Sequence, residues 1–248
     1  MLVIQGDYVL FLLLLWVNDM KMFTVCLVVI AAFTSNSYAQ FNDNTGLSDE
    51  LVHAENYGYF LSSAEWKSHD IPVCWENPSE RYSDDMKRVR AAVADTWEFY
   101  SKLRFTGWEK CPASSVGIRI KIADDHPHAK KLGAELSGEK EGMVLNFDFI
   151  NSFQSCKKNE TVRNLCIESI AVHEFGHAIG FAHEHNRTDR DMDCFENPQG
   201  TSGDRELTRY DKHSVMNYCN LVYNNYGRLS YGDVISVRKI YGKEEGGI

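Results

Sequence analysis

Two stretches of the chain alternate apolar with polar residues, and others repeat apolar residues every third or fourth position. In "VGIRIKIAD", Ile118, Ile120 and Ile122 fall on one side and Arg119 and Lys121 on the other, the pattern of a half-buried strand. "MVLNFDF" alternates again, with Met143, Leu145, Phe147 and Phe149 on one side. Upstream, "IPVCW" (Ile71 to Trp75) reads as a first strand. Met86, Val89, Val93, Trp97 and Tyr100 are spaced by three and four, which makes one face of a long helix. Ser83 caps that helix, and Asp84 and Asp85 suit the positive end of its dipole. "VRNLCIESIAVHEFGHAIG" predicts a second helix that stops at Gly180. A third starts at the cap Ser230, has Asp233 three residues on, buries Val234, Val237, Ile240 and Tyr241, and ends at Gly242. Residues 124–142 read as a loop rich in His, Lys and Gly, and 181–226 as a long irregular stretch. This order predicts an α+β domain. A mixed twisted sheet and a long helix make its first half; the second helix, loops and a terminal helix make its second, with a cleft between the halves.

The N-terminus reads as targeting rather than fold. Tyr8 to Val17 is apolar but too short to span a bilayer comfortably. From Met20 the chain has Lys21, an apolar core from Phe23 to Phe33, and small residues before Gln40, the order of a secretory signal peptide. Residues 1–19 are then a mis-assigned start or an extra hydrophobic leader, and 20–39 the signal, cut near Ala39. Residues 40–68 are a short pro-segment or N-terminal arm, and 69–248 the catalytic domain. A single N-terminal membrane anchor is the alternative to the signal. Either reading puts the remainder outside the cytoplasm: secreted and extracellular, or periplasmic in a bacterium, with no stable membrane association once the signal is removed. Of seven cysteines, Cys26 lies in the leader, and the even six that remain suit three disulfides. Six cysteines allow 15 connectivities; pairing of sequence neighbours is expected, Cys74–Cys111, Cys156–Cys166 and Cys194–Cys219. A net charge of -9 argues against a nucleic-acid partner and against an anionic membrane surface.

The chemistry concentrates in "HEFGHAIGFAH". His173 and His177 are four apart on the second helix, so their imidazoles leave one face a turn apart, a spacing that suits two ligands of tetrahedral zinc. Gly180 tolerates the left-handed conformation that lets the chain swing back, and His183 then supplies a third ligand from outside the helix. Glu174 projects beside a metal so held, where a general base for a bound water is needed. The alternative, a surface helix with scattered histidines, meets chance odds of about 1 in 100,000 for these five fixed residues. One catalytic Zn2+ is therefore expected. His126 and His128 offer a second metal site only if loop histidines ligate. Asn159 and Asn186 open glycosylation sequons.

The pattern H-E-x-x-H-x-x-G-x-x-H is the metzincin signature, and "SVMNY" (Ser214 to Tyr218) supplies the methionine turn that a metzincin carries beneath its metal, with Met216 supporting the site. "FAHEHNRTDRD" and "YDKHSVMNY" closely resemble the astacin family of zinc peptidases. The resemblance is specific from Ile167 to Gly242 and holds in outline from Ile71 to Phe149. It implies a metzincin-type peptidase domain that acts on protein or peptide substrates, and the expected state is a monomer. It makes Tyr218 a fifth ligand that leaves on substrate binding to stabilise the oxyanion, and makes Glu184 the buried partner of a matured N-terminus. A packing tyrosine and a Glu184–Arg187 salt bridge are the alternatives. Two departures stand out: Asn217 replaces the family's usual histidine, and only Asp43 echoes a zinc-blocking aspartate in the pro-segment. Cys74 acting as a cysteine switch is an alternative that a disulfide makes unnecessary. The strand around Leu145, Asn146 and Phe147 is either an edge that pairs with an extended substrate or an interior strand. Two rivals complete the set. A non-catalytic zinc-binding protein is disfavoured by the intact Glu174, and a matrixin- or pappalysin-like peptidase by Glu184 and Tyr218.

Overall fold

The computed structural model describes residues 58–243 apart from Thr208 and Leu221. The signal, the segment up to residue 57 and Asp43 lie outside the described residues. Strands β2 (Asp70–Trp75), β3 (Arg104–Lys110), β4 (Ile118–Ile122), β5 (His128–Ala129) and β6 (Met143–Leu145) form one sheet in the order β3-β2-β4-β6-β5. The first four in that order are parallel, and β5 joins antiparallel at the edge. Helix α1 (Ser83–Val93) runs on through a π-helical turn, Ala94–Glu98, and crosses from β2 to β3. It packs against α2 (Glu160–Ala178). Its predicted face is right: Val89, Val93 and Trp97 are buried, and the Trp97 indole N–H donates to the Val172 carbonyl of α2 at 2.8 Å. Asp85 is buried too, held by the Arg163 guanidinium of α2.

The alternation in β4 leads to a different environment from the one it predicts. Its polar side is covered, because a parallel interior strand has neighbours on both edges and cover on both faces. Arg119 is buried and satisfied by a two-pronged bond to Glu76, at 2.8 and 3.1 Å, while Lys121 pairs with Glu141 at 2.8 Å.

"MVLNFDF" requires a correction. Strand β6 stops at Leu145 and lies between β4 and β5, so Leu145, Asn146 and Phe147 form no free edge. Leu145 pairs with Ile122. The Asn146 amide ends the strand: its Oδ1 accepts the Asp148 and Phe149 backbone N–H groups, and its Nδ2 donates to Asp124, Asp125 and Ser152. A side chain that offers the backbone a turn in place of a ladder explains why alternation continued after pairing had ceased. The edge comes instead from His128 and Ala129, inside the stretch read as a loop.

Residues 58–68 are an arm packed on this body. Strand β1 (Tyr59–Phe60) pairs antiparallel with β7 (Arg205–Glu206), and Phe60 is fully buried edge-on against Phe181 and Tyr241. Helix α3 (Tyr231–Tyr241) is the last described element and has the capping box predicted for Ser230 and Asp233. All three disulfides join sequence neighbours as expected: Cys74–Cys111, Cys156–Cys166 and Cys194–Cys219. Cys74 is thereby occupied and is no cysteine switch.

Candidate metal centre

Helix α2 sets the site. Asn159 caps it, accepting the Val162 N–H at 2.9 Å, and from Ser169 on every residue of the helix is buried. It ends in a Schellman motif: the Phe181 N–H reaches the Gly176 carbonyl at 3.0 Å, and the Gly180 N–H reaches that of His177 at 2.9 Å. Gly180 has φ +103°, and a Cβ there would lie 2.5 Å from the Phe60 ring. Only glycine meets both demands, and the reversal it allows brings His183 back over the helix.

The three imidazoles converge. His183 Nε2 lies 3.3 Å from His173 Nε2 and 3.2 Å from His177 Nε2. Tetrahedral Zn–N bonds of about 2.0–2.1 Å require nitrogens separated by about 3.3 Å. Each opposite nitrogen is tied to a backbone carbonyl: His173 Nδ1 to Val215 at 2.8 Å, His177 Nδ1 to Phe181 at 2.8 Å, His183 Nδ1 to Gln199 at 3.0 Å. A carbonyl only accepts, so each Nδ1 carries the proton and each Nε2 presents a bare lone pair. Burial holds the rings neutral, pushing His173 down to about 3 and His177 well below the usual imidazole range. Three lone pairs facing one another without a proton between them form a donor set that fits a zinc ion. Among the described residues this is the one group of three or more metal-ligating side chains close enough to share an ion.

Glu174 is buried beside the cluster. The Ala129 N–H bonds its carboxylate, while Oε2 has no hydrogen-bond partner. Burial pushes the carboxyl up to about 8. With His177, His183, Tyr218 and the edge strand β5, Glu174 lines a cavity of about 250 Å³. The Tyr218 ring stacks on His173 at 5.1 Å and on His185 at 5.0 Å, and burial raises its phenol. Met216 lies under the helix: a Cβ added at Gly176 would sit 2.3 Å from its Sδ. The turn itself is pinned by Asp233, which accepts the Ser214 hydroxyl at 2.6 Å and the Val215 N–H at 2.9 Å.

Glu184 lines no part of this cavity. It is buried behind the turn, 3.5 Å from the Arg187 guanidinium, and accepts the Asp211 N–H at 2.9 Å. The alternative reading of Glu184 is therefore the contact observed, and a partner from the N-terminus lies outside the described residues. Sequence reasoning did not single out His185, Gly176, Ala129 or Gln199. His185 is fully buried and accepts the Tyr218 N–H at 3.3 Å; its place next to Glu184 was a usable signal. Gly176 was visible inside the motif. Ala129 and Gln199 act through backbone atoms and left no trace in residue type.

A helix bearing two of three convergent histidines, reversed at a glycine over a methionine turn, defines a metzincin-type site on an α+β fold. The comparisons narrow the class. A family profile described as Astacin, a peptidase family, matches residues 154–194. The Metalloendoproteinase 5-MMP of Arabidopsis thaliana is 26% identical over 180 residues, covering 67% of this chain and 48% of the relative. The chain thus spans about half the length of the curated relative it matches. The solved structure of myroilysin superposes with a TM-score of 0.53 at 17% identity, over 76% of this chain and 100% of its own. High choriolytic enzyme 1, a hatching enzyme zinc-protease from Oryzias latipes, gives 0.48 at 18% identity, over 74% and 96%. The chain is astacin-like in its site sequence and shares the fold of myroilysin.

Proposed function

We propose that the protein is a zinc-dependent endopeptidase that works outside the cytoplasm. The observation that carries this reading is the set of three neutral imidazoles, each locked by a carbonyl, next to a buried carboxylate with a free oxygen. His173, His177 and His183 would hold the metal. When bound there, zinc supplies positive charge that acidifies a water and polarises a peptide carbonyl. Glu174 Oε2 takes a proton from the attacking water as its oxygen bonds to the scissile carbon. The same carboxyl then gives that proton to the leaving nitrogen as the C–N bond breaks. The Tyr218 hydroxyl donates to the carbonyl oxygen as negative charge develops on it. Gly180, Met216 and the Glu184–Arg187 pair keep the ligands in place. The exposed edge of β5, whose Ala129 already bonds Glu174, is where an extended substrate chain pairs. The three disulfides and the leader sequence support an extracellular or periplasmic setting, and among the described residues no helix is long and apolar enough to cross a membrane.

Casein cleavage by the chain from Gln40, with and without a chelator, tests the reading. Glu174→Gln should lower kcat by about 10²–10⁴ while the bound zinc, read by atomic emission, stays at one ion per chain. Undiminished cleavage by that variant would sink the mechanism.

A further inference from the structure

A second cavity, of about 590 Å³, shares Tyr218 and Gln199 with the first. Part of its wall is aromatic, from His126, Phe153, Tyr218 and Tyr223. The Phe153 ring lies 5.7 Å from Tyr223 and 5.6 Å from His126. No lysine or arginine lines it, and Glu196 does. Two amides in its lining are incompletely bonded. Asn224 is 2% exposed and its Oδ1 is buried without a partner; Asn220 Nδ2 is buried without one as well. The other end of Asn220 is used, its Oδ1 accepting the Val222 N–H at 3.0 Å. Buried polar atoms left unpaired are costly, and they are rare in folded proteins unless a ligand completes them. Asn224 is also held at φ 44°, the first of three consecutive non-glycine residues with positive φ, a conformation that asparagine tolerates better than most. The fold thus keeps a costly turn at a residue that lines the cavity.

We infer that this cavity receives the side chain of a tyrosine of the substrate, next to the bond that is cut. The inference rests on the peptidase reading. The ring packs against Phe153 and Tyr223. The hydroxyl completes both amides at once, donating to Asn224 Oδ1 and accepting from Asn220 Nδ2. The Val222 N–H fixes the Asn220 amide with Nδ2 as its free donor, and Asn224 Oδ1 is the free acceptor, so the pair as it stands offers both roles. Phenylalanine fills the same space and leaves both amides unpaired, the condition under which a polar site rejects an analogue that lacks a hydroxyl. Arginine and lysine only donate. Glutamate meets Glu196 and no cation.

The test separates binding from cleavage. Five blocked peptides differ at one residue (Tyr, Phe, Gln, Arg or Glu) and are titrated by fluorescence anisotropy into the zinc-loaded Glu174→Gln chain, which cannot cut them. The tyrosine peptide should bind about tenfold more tightly than the phenylalanine peptide, the scale of one or two net hydrogen bonds. On the same background Asn224→Gly, which keeps the left-handed turn, and Asn220→Ala should each bring that ratio towards one. Unchanged binding of the phenylalanine peptide shows that the cavity still folds. Equal binding of the tyrosine and phenylalanine peptides overturns the inference. So does tighter binding of the Gln or Arg peptide, or a ratio that survives both substitutions. A wild-type chain that keeps the tyrosine preference but cuts none of the five sinks the peptidase reading and leaves the cavity's assignment standing.

Discussion

Gly176 shows how much a single position carries. It sits between the two helical histidines, and the missing side chain is the space into which Met216 packs, with the Trp97 ring 3.1 Å from the same point. Gly176→Ala adds a methyl group that must displace sulfur or indole. We expect a loss of about 1–3 kcal/mol in denaturant unfolding, despite the better helix propensity of alanine. Met216→Ala should relieve part of that loss, so the double-mutant cycle should show favourable coupling of about 0.5–3 kcal/mol. Additive losses would mean that the methionine turn does not press on the helix. At this scale the legible residues were those that act through side-chain chemistry: His173, Glu174, His177 and His183 announce themselves by type and spacing. The carbonyls of Val215, Phe181 and Gln199, which fix all three tautomers, act whatever side chain each residue carries. A backbone acceptor has no sequence signature, so this half of the metal centre had to be seen.

The elements show the same division. Helical periodicity located α1, α2 and α3, because a helix satisfies its own hydrogen bonds and its pattern is local; the cap read for α3 is observed, whereas Ser83 lies inside the first turn of α1 and makes no capping bond. The sheet was less legible. Alternation ran past the end of β6, and the two-residue edge strand β5 is too short for any periodicity to mark. Pairing is decided by partners distant in sequence, as when Ala129 meets Met143. A further element-scale property is covalent. The Cys194–Cys219 bridge joins the 191–200 loop to the residue after Tyr218. That loop supplies the Gln199 carbonyl to His183, and the same carbonyl also accepts from the Asn186 amide at 2.7 Å. Cys194→Ala with Cys219→Ala should therefore weaken zinc binding by about 10–100-fold, the usual effect of loosening a ligand's supporting bond, as well as costing about 2–4 kcal/mol of stability. Cys156→Ala with Cys166→Ala removes a bridge between the 154–157 turn and α2, neither of which supplies a ligand carbonyl, and serves as the control. It should cost comparable stability and leave zinc affinity, read by competition with a chromogenic chelator, unchanged. Equal losses of affinity in both pairs would reduce the 194–219 bridge to a general staple.

Across the whole molecule, one buried ion pair between Glu76 and Arg119 gives the sheet a response to pH. Glu76 follows β2, Arg119 lies on β4, and the Glu141 N–H that also bonds Glu76 at 3.1 Å comes from the turn before β6. One carboxylate thus ties three segments of the sheet, at 14% side-chain exposure against 8% for its arginine. The Arg119 fork holds the Glu76 carboxyl below its ordinary value of 4.5, against the opposing effect of burial. The sign follows. Between the lowered folded value and 4.5 the unfolded chain binds more protons than the folded one, so stability rises with pH across that window. The contribution is fully present above 4.5 and is lost as pH falls through the folded value. Protonation of the three ligand imidazoles also releases zinc in acid, so the comparison is made on chelator-treated chains, wild type and Glu76→Gln, by urea unfolding from pH 7 down to pH 2. At pH 7 the variant should be the weaker, because Arg119 is left buried without its carboxylate. Below 4.5 the gap should narrow as the wild-type pair is itself protonated. A gap of constant size from pH 7 to pH 2 would show that Glu76 acts through its shape and hydrogen bonds alone, and that its charge contributes nothing to holding the sheet together.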